Sequence, residues 1–454
     1  MFNAGDMLIL VGVLLALVFC GFHIAVSLGV TSLLGIYLVN GDMDTVRRFS
    51  ATTAYEALRD YIFAVIPLFM LMGEFLAKCG AARDLFTLIN RLTKWVPGRL
   101  GVATVLANAV FAFVTGVSIA AAAAFSKIAH PEMRRYGYER RFSLGCIAGS
   151  ACLGMLIPPS VLMIVWGVLT EMAIGKLFIA GIIPGFLVVT LFIGYIVWVA
   201  KTQPQRVGEG PELPALQAQA RRDNAAQPQE SLAAILWSTL GIMMLVVLVL
   251  GGIWLGAFTP TEGAGVGALL ALLLATLRGL RVPQIVEVIL SVGKTSAPLL
   301  LLLVTAQLYS RVLAMTGITG AAKAFFVGSG LSPYVILALM VLVWFILGCI
   351  VDSISIILLT VPVFAPVAVA VGFDPIAFAI LGILAIETGL LTPPFGLLVF
   401  TVKAAVTDEK NLSTSEIFSG SVAYWFALLA AIIVVALFPQ LATWLPNLGH
   451  KLVN

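Results

Sequence analysis

Charge is scarce in this chain. Asp, Glu, Lys and Arg make up 11% of its 454 residues, against 61% hydrophobic residues. A soluble domain carries about a quarter charged residues, so an ordinary water-facing surface is excluded. Histidine occurs three times (His23, His130, His450), too far apart to form a metal site by sequence proximity. The five cysteines (Cys20, Cys79, Cys146, Cys152, Cys349) lack metal-type clustering and read as small buried hydrophobes. There is no His-Glu-x-x-His, no Gly-x-Ser-x-Gly elbow and no Gly-x-x-x-x-Gly-Lys-Ser/Thr loop. Enzyme chemistry and ATP-driven work therefore have no anchor. The start, Met1-Phe-Asn-Ala-Gly-Asp6, has no basic n-region, so no cleavable signal peptide is read. The formal charge of +4 comes from Lys and Arg scattered in short loops. That is a membrane-orientation signal and gives no footprint for a nucleic acid partner.

What is present in quantity is apolar sequence. The length supplies roughly ten or more membrane-crossing segments at about 20 residues each. The expected fold class is an all-α polytopic membrane protein in a lipid bilayer. Within it, residues 116–159 and 351–394 look like two copies of one device at an offset of 235. Gly154-Met-Leu-Ile-Pro158-Pro159 recurs as Gly389-Leu-Leu-Thr-Pro393-Pro394, and Ser118, Pro131 and Gly137 fall on Ser353, Pro366 and Gly372. Each Pro-Pro interrupts an apolar stretch long enough to span a membrane. Proline lacks the amide donor and blocks the preceding turn, so the helix breaks there. A break at membrane depth is tolerated only where protein or a polar cavity receives the freed backbone groups. Two matched breaks point to the substrate and coupling-ion sites of a secondary transporter.

The order of elements repeats as well. The apolar run 7–39, with Gly21 and Gly29 inside it, reads as two short helices, matching 243–275. A polar stretch 40–60, read as an amphipathic arm, a span 61–78 and an amphipathic basic helix near 81–96 follow. The first half (1–200) continues with a hairpin of half-helices over 98–130, a broken helix over 142–173 and a span near 177–200. Residues 201–231 read as a Pro- and Gln-rich cytoplasmic linker. The second half (232–454) gives spans near 232–256, 262–280 and 294–316, with an amphipathic arm at 282–292. An amphipathic helix near 318–328, a hairpin over 333–365, a broken helix over 374–402 and one last span near 420–446 complete it.

Between residues 89 and 167 the basic residues are Arg91, Lys94, Arg99, Lys127, Arg134, Arg135, Arg140 and Arg141; the matching stretch 324–402 has none. By the positive-inside rule the first hairpin opens to the cytoplasm and the second to the opposite side. Both hairpins are then re-entrant, and the halves form an inverted-topology repeat.

At these residues the chain resembles the large membrane subunit of the tripartite ATP-independent periplasmic (TRAP) transporters. The marks are Gly116-Val-Ser118, Gly154 to Pro159 followed by Ser160, Phe258-Thr-Pro-Thr-Glu262, Asp352, and Gly389 to Pro394 followed by Phe395-Gly396. The resemblance covers nearly the whole chain. It implies a sodium-driven importer of organic acids (a carboxylate, dicarboxylate or sugar acid) in the bacterial inner membrane, with Na+ as the coupling ion and no ATP. It also implies two partners, a small four-helix membrane subunit and a periplasmic substrate-binding protein, and an elevator mechanism. No small subunit is read as fused to the N-terminus. Many relatives follow the first hairpin tip with a second small polar residue and then an Asp; here the run is Ile119-Ala-Ala-Ala-Ala-Ala124. Backbone carbonyls then dominate the first ion site.

Sodium is a hard cation, and half-helix C-termini present free carbonyls to it. Sodium site one would join Thr115, Gly116 and Ser118 to Gly154, Ile157 and Pro159. Site two would join Gly348, Asp352 and Ser353 to Gly389 and Thr392. No transition-metal site is read. The half-helix N-termini after each Pro-Pro offer amides to a substrate carboxylate, which makes Pro158, Ser160, Thr388 and Pro393 substrate-proximal. Asp352 supports the ion site or caps a helix. Glu387 tunes the second site or faces a polar interface. Glu262 reads as a helix-start acid, and Glu74 and Arg311 as scaffold contacts. The rival functions are a standalone sodium/dicarboxylate symporter and, more distantly, an ion channel.

The charge asymmetry makes a topology prediction. Single cysteines replacing Arg135 and Gly372, in a background without native cysteines, are expected to react with an impermeant thiol reagent from opposite sides of the membrane. Labelling from the same side would break the inverted-repeat reading.

Overall fold

The computed structural model describes residues 4–209, 232–407, 409 and 411–453. These are overwhelmingly helical, with a single isolated bridge between Tyr138 and Val207. Eight helical segments among them are long and apolar enough to cross a membrane.

The first half runs α1 (Ala4–Phe19), α2 (Ile24–Asn40), α3 (Met43–Arg59), α4 (Val65–Lys78), α5 (Ala81–Leu92), α6 (Arg99–Thr115), α7 (Ser118–Arg135), α8 (Arg140–Ala151), α9 (Leu153–Leu156), α10 (Val161–Thr170) and α11 (Ile174–Thr202). The second runs α12 (Leu232–Trp254), α13 (Pro260–Leu277), α14 (Val282–Met315), α15 (Ile318–Gly328), α16 (Pro333–Gly348), α17 (Ser353–Ala370), α18 (Pro375–Gly389), α19 (Leu397–Ala405), α20 (Thr414–Leu437) and α21 (Gln440–Val453). The apolar run 7–39 is two helices, as expected.

The amphipathic arm read at 40–60 is helix α3, started by Asp42, which accepts from the Asp44 and Thr45 amides. Two segments differ from the sequence reading. The arm and span expected separately at 282–292 and 294–316 are one 34-residue helix, α14. In the first half Asp60 stops α3 in an extended conformation and caps the following turn. Near the corresponding place the second half has Thr295 and Ser296, which carry no such stop, and the helix runs on through Pro298. The last span, expected near 420–446, ends at Leu437. Phe438, held non-helical before Pro439, separates it from α21. Most of the expected linker, 210–231, lies outside the described residues. Its start is tied down: Glu209 accepts from the Gly98 amide at 2.7 Å and Arg206 pairs with Glu139 at 2.6 Å.

Burial separates a centre from a frame. The most apolar window of Arg140–Thr170 is 89% buried, that of Val282–Met315 only 28%. In α18 every residue from Ala377 to Gly389 is buried. The two broken helices therefore lie in the interior, while the long helices α12, α13 and α14 turn apolar side chains such as Met244, Leu269 and Leu290 outward. Helix α4 packs on α13 and α2 on α14, joining the halves on the frame side. The interior is interleaved: α10, from the first half, packs on α17 of the second, and α19 packs on α7 of the first.

The frame carries the polar contacts expected of a scaffold. Arg311 donates to Thr53 at 3.1 Å and Glu56 at 2.7 Å, tying α14 to α3. Arg278 reaches both Asp84 of α5 and Ser238 of α12. Thr259 and Glu262 form a reciprocal cap at the start of α13, as the Thr-Pro-Thr-Glu pattern indicates.

Helices α8 and α20 touch through glycine. A Cβ on Gly420 would lie 2.1 Å from the Arg141 carbonyl oxygen, and one on Gly145 would lie 2.1 Å from the Gly420 carbonyl. Gly420→Ala is expected to cost stability of the order of overpacking, about 1–3 kcal/mol, seen as a lower melting temperature in detergent. Gly194→Ala, which meets nothing within 4 Å, is expected to leave it unchanged or raised.

Candidate functional site

The two hairpins turn in different ways. Helix α6 ends at Thr115, Gly116 takes a left-handed φ of 60°, Val117 is extended and α7 begins at Ser118. Helix α16 ends at Gly348, and four residues lead to Ser353, the first of α17. Opposite each tip stands a break. The first occupies 157–160, between α9 and α10; the second occupies 390–396, between α18 and α19. Both prolyl pairs, Pro158-Pro159 and Pro393-Pro394, are joined by cis peptide bonds.

Tip and break meet backbone to backbone in each half. A Cβ on Gly116 would lie 2.4 Å from the Pro159 carbonyl oxygen, and one on Gly154 would lie 2.8 Å from Ser118 Cα. A Cβ on Gly348 would lie 2.6 Å from Gly389 Cα, and one on Gly389 would lie 3.0 Å from Gly348 Cα. Only glycine permits approaches this close at Gly116, Gly154 and Gly348, and at Gly389 a Cβ would require its neighbour to give. The sequence-predicted residues Gly116, Ser118, Gly154 and Pro159 thus converge at one point, and Gly348 and Gly389 at another.

The remaining candidates are placed as follows. Thr115 donates to the Phe111 carbonyl at 3.2 Å, within its own helix. The Ile157 amide donates to Leu153 O at 3.0 Å, closing α9, and its side chain is buried. Ser160 is fully buried; it donates to Met155 O and accepts from the Met163 amide as the cap of α10. Thr388 is fully buried and donates to Leu384 O at 2.6 Å. Thr392 donates to Thr388 O at 3.0 Å and accepts from Trp425 Nε1 at 3.0 Å, a partner that the sequence did not suggest. Asp352 is exposed, and its Oδ1 accepts from the Ile354 and Ser355 amides at 3.1 and 3.0 Å. Of the two readings for Asp352, the geometry displays the helix cap.

The two breaks differ in access. Pro158 and Pro159 are buried, whereas Pro393, Pro394 and Phe395 are exposed. The α10 start is occupied, since the Val161 amide donates to Gly116 O at 3.3 Å and Ser160 supplies the cap. The α19 start, led by Gly396 in a left-handed conformation, has no side-chain cap. Amides free for an anion are thus favoured at the second break. An open cavity of about 870 Å³ lies elsewhere, between the α10–α11 turn, the start of α13 and Arg311, and none of the candidate residues line it.

Sequence reasoning left Glu387 open, and its position is the least anticipated feature. The residue is 1% exposed. Its Oε2 accepts from Ser118 Oγ at 2.6 Å and its Oε1 from Ser353 Oγ at 3.1 Å. The two serines are counterparts at the repeat offset, each the first residue of a hairpin helix. The signal available in the sequence was the counterpart of Glu387 itself, Cys152, a position where the first copy carries no charge.

On the side of the basic residues, His130 Nε2, Arg134 and Arg140 converge on Glu409, and Arg140 also reaches Glu416. This ties the α7–α8 turn to the segment after α19.

Comparison with known proteins gives a consistent result. Residues 11–441 match the family model described as "Tripartite ATP-independent periplasmic transporter, DctM component". The chain is 35% identical to the C4-dicarboxylate TRAP transporter large permease protein DctM of Pseudomonas aeruginosa, over 93% of this chain and 94% of that one. It is 28% identical to the sialic acid TRAP transporter large permease protein SiaM of Vibrio cholerae, over 96% and 97% of the two chains. Among solved structures it resembles the YdaH transporter of Alcanivorax borkumensis, with a TM-score of 0.61 at 17% identity over 89% of each chain. That likeness concerns the fold.

The cap at Asp352 can be separated from an ion-ligand role. Asp352→Ala is expected to lose about 1 kcal/mol of stability, the usual cost of an N-cap. Asp352→Asn, which keeps the Oδ1 acceptor, is expected to stay close to the parent in thermal unfolding.

Proposed function

The chain belongs to the DctM-component family of tripartite ATP-independent periplasmic transporters, and from that premise we propose that it is the permease of a sodium-coupled importer of organic acids. Family membership makes it a multi-pass membrane protein and a transporter large permease. The finer reading is ours. It works in the bacterial inner membrane as an inverted-topology repeat with two re-entrant hairpins. It partners a small four-helix membrane subunit and a periplasmic substrate-binding protein.

The observation that carries the reading is the double meeting of tip and break, Gly116 with Pro159 and Gly348 with Gly389. A half-helix C-terminus leaves carbonyls without intrahelical partners, and a hard cation is a suitable occupant. Thr115, Gly116, Ser118, Gly154, Ile157 and Pro159 supply site one; Gly348, Ser353, Gly389 and Thr392 supply site two, with Asp352 holding the start of α17. The substrate carboxylate is received at the second break, beside Pro393 and Thr388 and against the uncapped start of α19. Pro158 and Ser160 shape the first.

The interleaving of α10 on α17 and α19 on α7 supports an elevator. Hairpins and broken helices share one packed interior, so they move together. The frame of α2, α4, α12, α13 and α14 stays in the bilayer. Substrate identity rests largely with the binding protein: the similar permeases above are named for a C4-dicarboxylate and for sialic acid.

Reconstitution tests this directly. With both partners present, uptake into proteoliposomes is expected to need an inward sodium gradient and to proceed without ATP. Thr392→Ala is expected to raise the sodium concentration for half-maximal uptake several-fold. Uptake indifferent to sodium would overturn the coupling. Full-rate uptake by this chain alone would favour a standalone symporter.

A further inference from the structure

Glu387 stands where the two hairpins come together, and the sodium reading above gives that position a consequence. Its two carboxylate oxygens are shared between Ser118 of one hairpin and Ser353 of the other. The first-half counterpart, Cys152, offers no second carboxylate; its Sγ lies 3.6 Å from the Glu387 carbonyl oxygen. Among the described residues no Lys, Arg or His side chain forms an ion pair with Glu387. The run Ile119–Ala124 after Ser118 supplies no side-chain oxygen to the first tip, so Glu387 is the carboxylate that reaches it.

We propose that Glu387 is the positioning residue that links the two sodium sites. A serine hydroxyl has one proton and two lone pairs. By donating its proton to Glu387, each serine is left with lone pairs for a cation. Ser118 and Ser353 are thereby fixed as acceptors toward site one and site two. When ionised, Glu387 places its negative charge between the two sites, where it attracts a cation to either. Because one carboxylate holds both serines, filling one site pre-orders the other, and the two sites bind cooperatively. Groups that orient a metal ligand from behind are typically worth about 10–100-fold in affinity.

The test is sodium-dependent thermal stabilisation of the purified chain, with choline chloride holding ionic strength constant. The parent is expected to show a steep, cooperative sodium dependence. Glu387→Gln fills the same space without the charge. It is expected to raise the half-stabilising sodium concentration by about tenfold or more and to reduce the Hill coefficient towards one. An unchanged sodium dependence in Glu387→Gln would overturn the linkage and leave the sodium reading standing. No sodium effect on the parent would overturn both.

If Glu387→Gln is not recovered folded, the serines carry the test. A double Ser118→Ala/Ser353→Ala variant whose shift is smaller than the product of the single shifts supports the link. Independent, multiplicative shifts overturn it.

Discussion

A helix that stops inside an apolar layer must hand its freed amides and carbonyls to something, because no water is there to take them. Two helices in this chain stop that way, at Pro158-Pro159 and Pro393-Pro394. Much of the interior can be understood as the answer. A hairpin tip is brought against each break, and the approach is so close that Gly116, Gly154 and Gly348 leave no space for a side chain and Gly389 very little. The break then becomes a concentration of fixed dipoles in a place of low dielectric, where their effect on an ion is largest.

The same requirement accounts for the interleaved packing. After each break the chain leaves its own hairpin, and the following half-helix packs against the other half's hairpin, α10 on α17 and α19 on α7. Each half's hairpin is thus covered in part by a half-helix of the other. The frame has the opposite character: long helices, apolar outward faces, and ion pairs such as Arg311 with Glu56 that join helices at their ends. Surface pairs of that kind contribute little stability; their geometry holds the arms in place. The α8–α20 contact, glycine on backbone, marks where the interior is packed most tightly against a spanning helix.

Most of the element order was legible because proline, glycine and apolar runs act locally. A helix must break at Pro-Pro, and a chain of this composition must cross a membrane. The differences arose where punctuation was weak. Asp60 stops α3, whereas its second-half equivalents let α14 run for 34 residues. Pro439 divides the last apolar stretch, which hydropathy alone reads as continuous. In the site, the glycines and prolines were legible because their roles are steric. Glu387 was not, because its meaning depends on two serines from hairpins far apart in sequence, at 118 and 353. The access of the two breaks was equally hidden: Pro158 and Pro393 have the same local sequence role, yet one is buried and the other exposed.

The account stands on the claim that the paired breaks are kept as cation sites. Equilibrium binding of radioactive sodium to the purified chain, with choline as the balancing cation and no substrate present, tests it most directly. The account predicts saturable binding that choline does not displace and that weakens in Gly154→Ala and Gly389→Ala variants that remain folded. Binding that never saturates, or that those two substitutions leave unchanged, would contradict it.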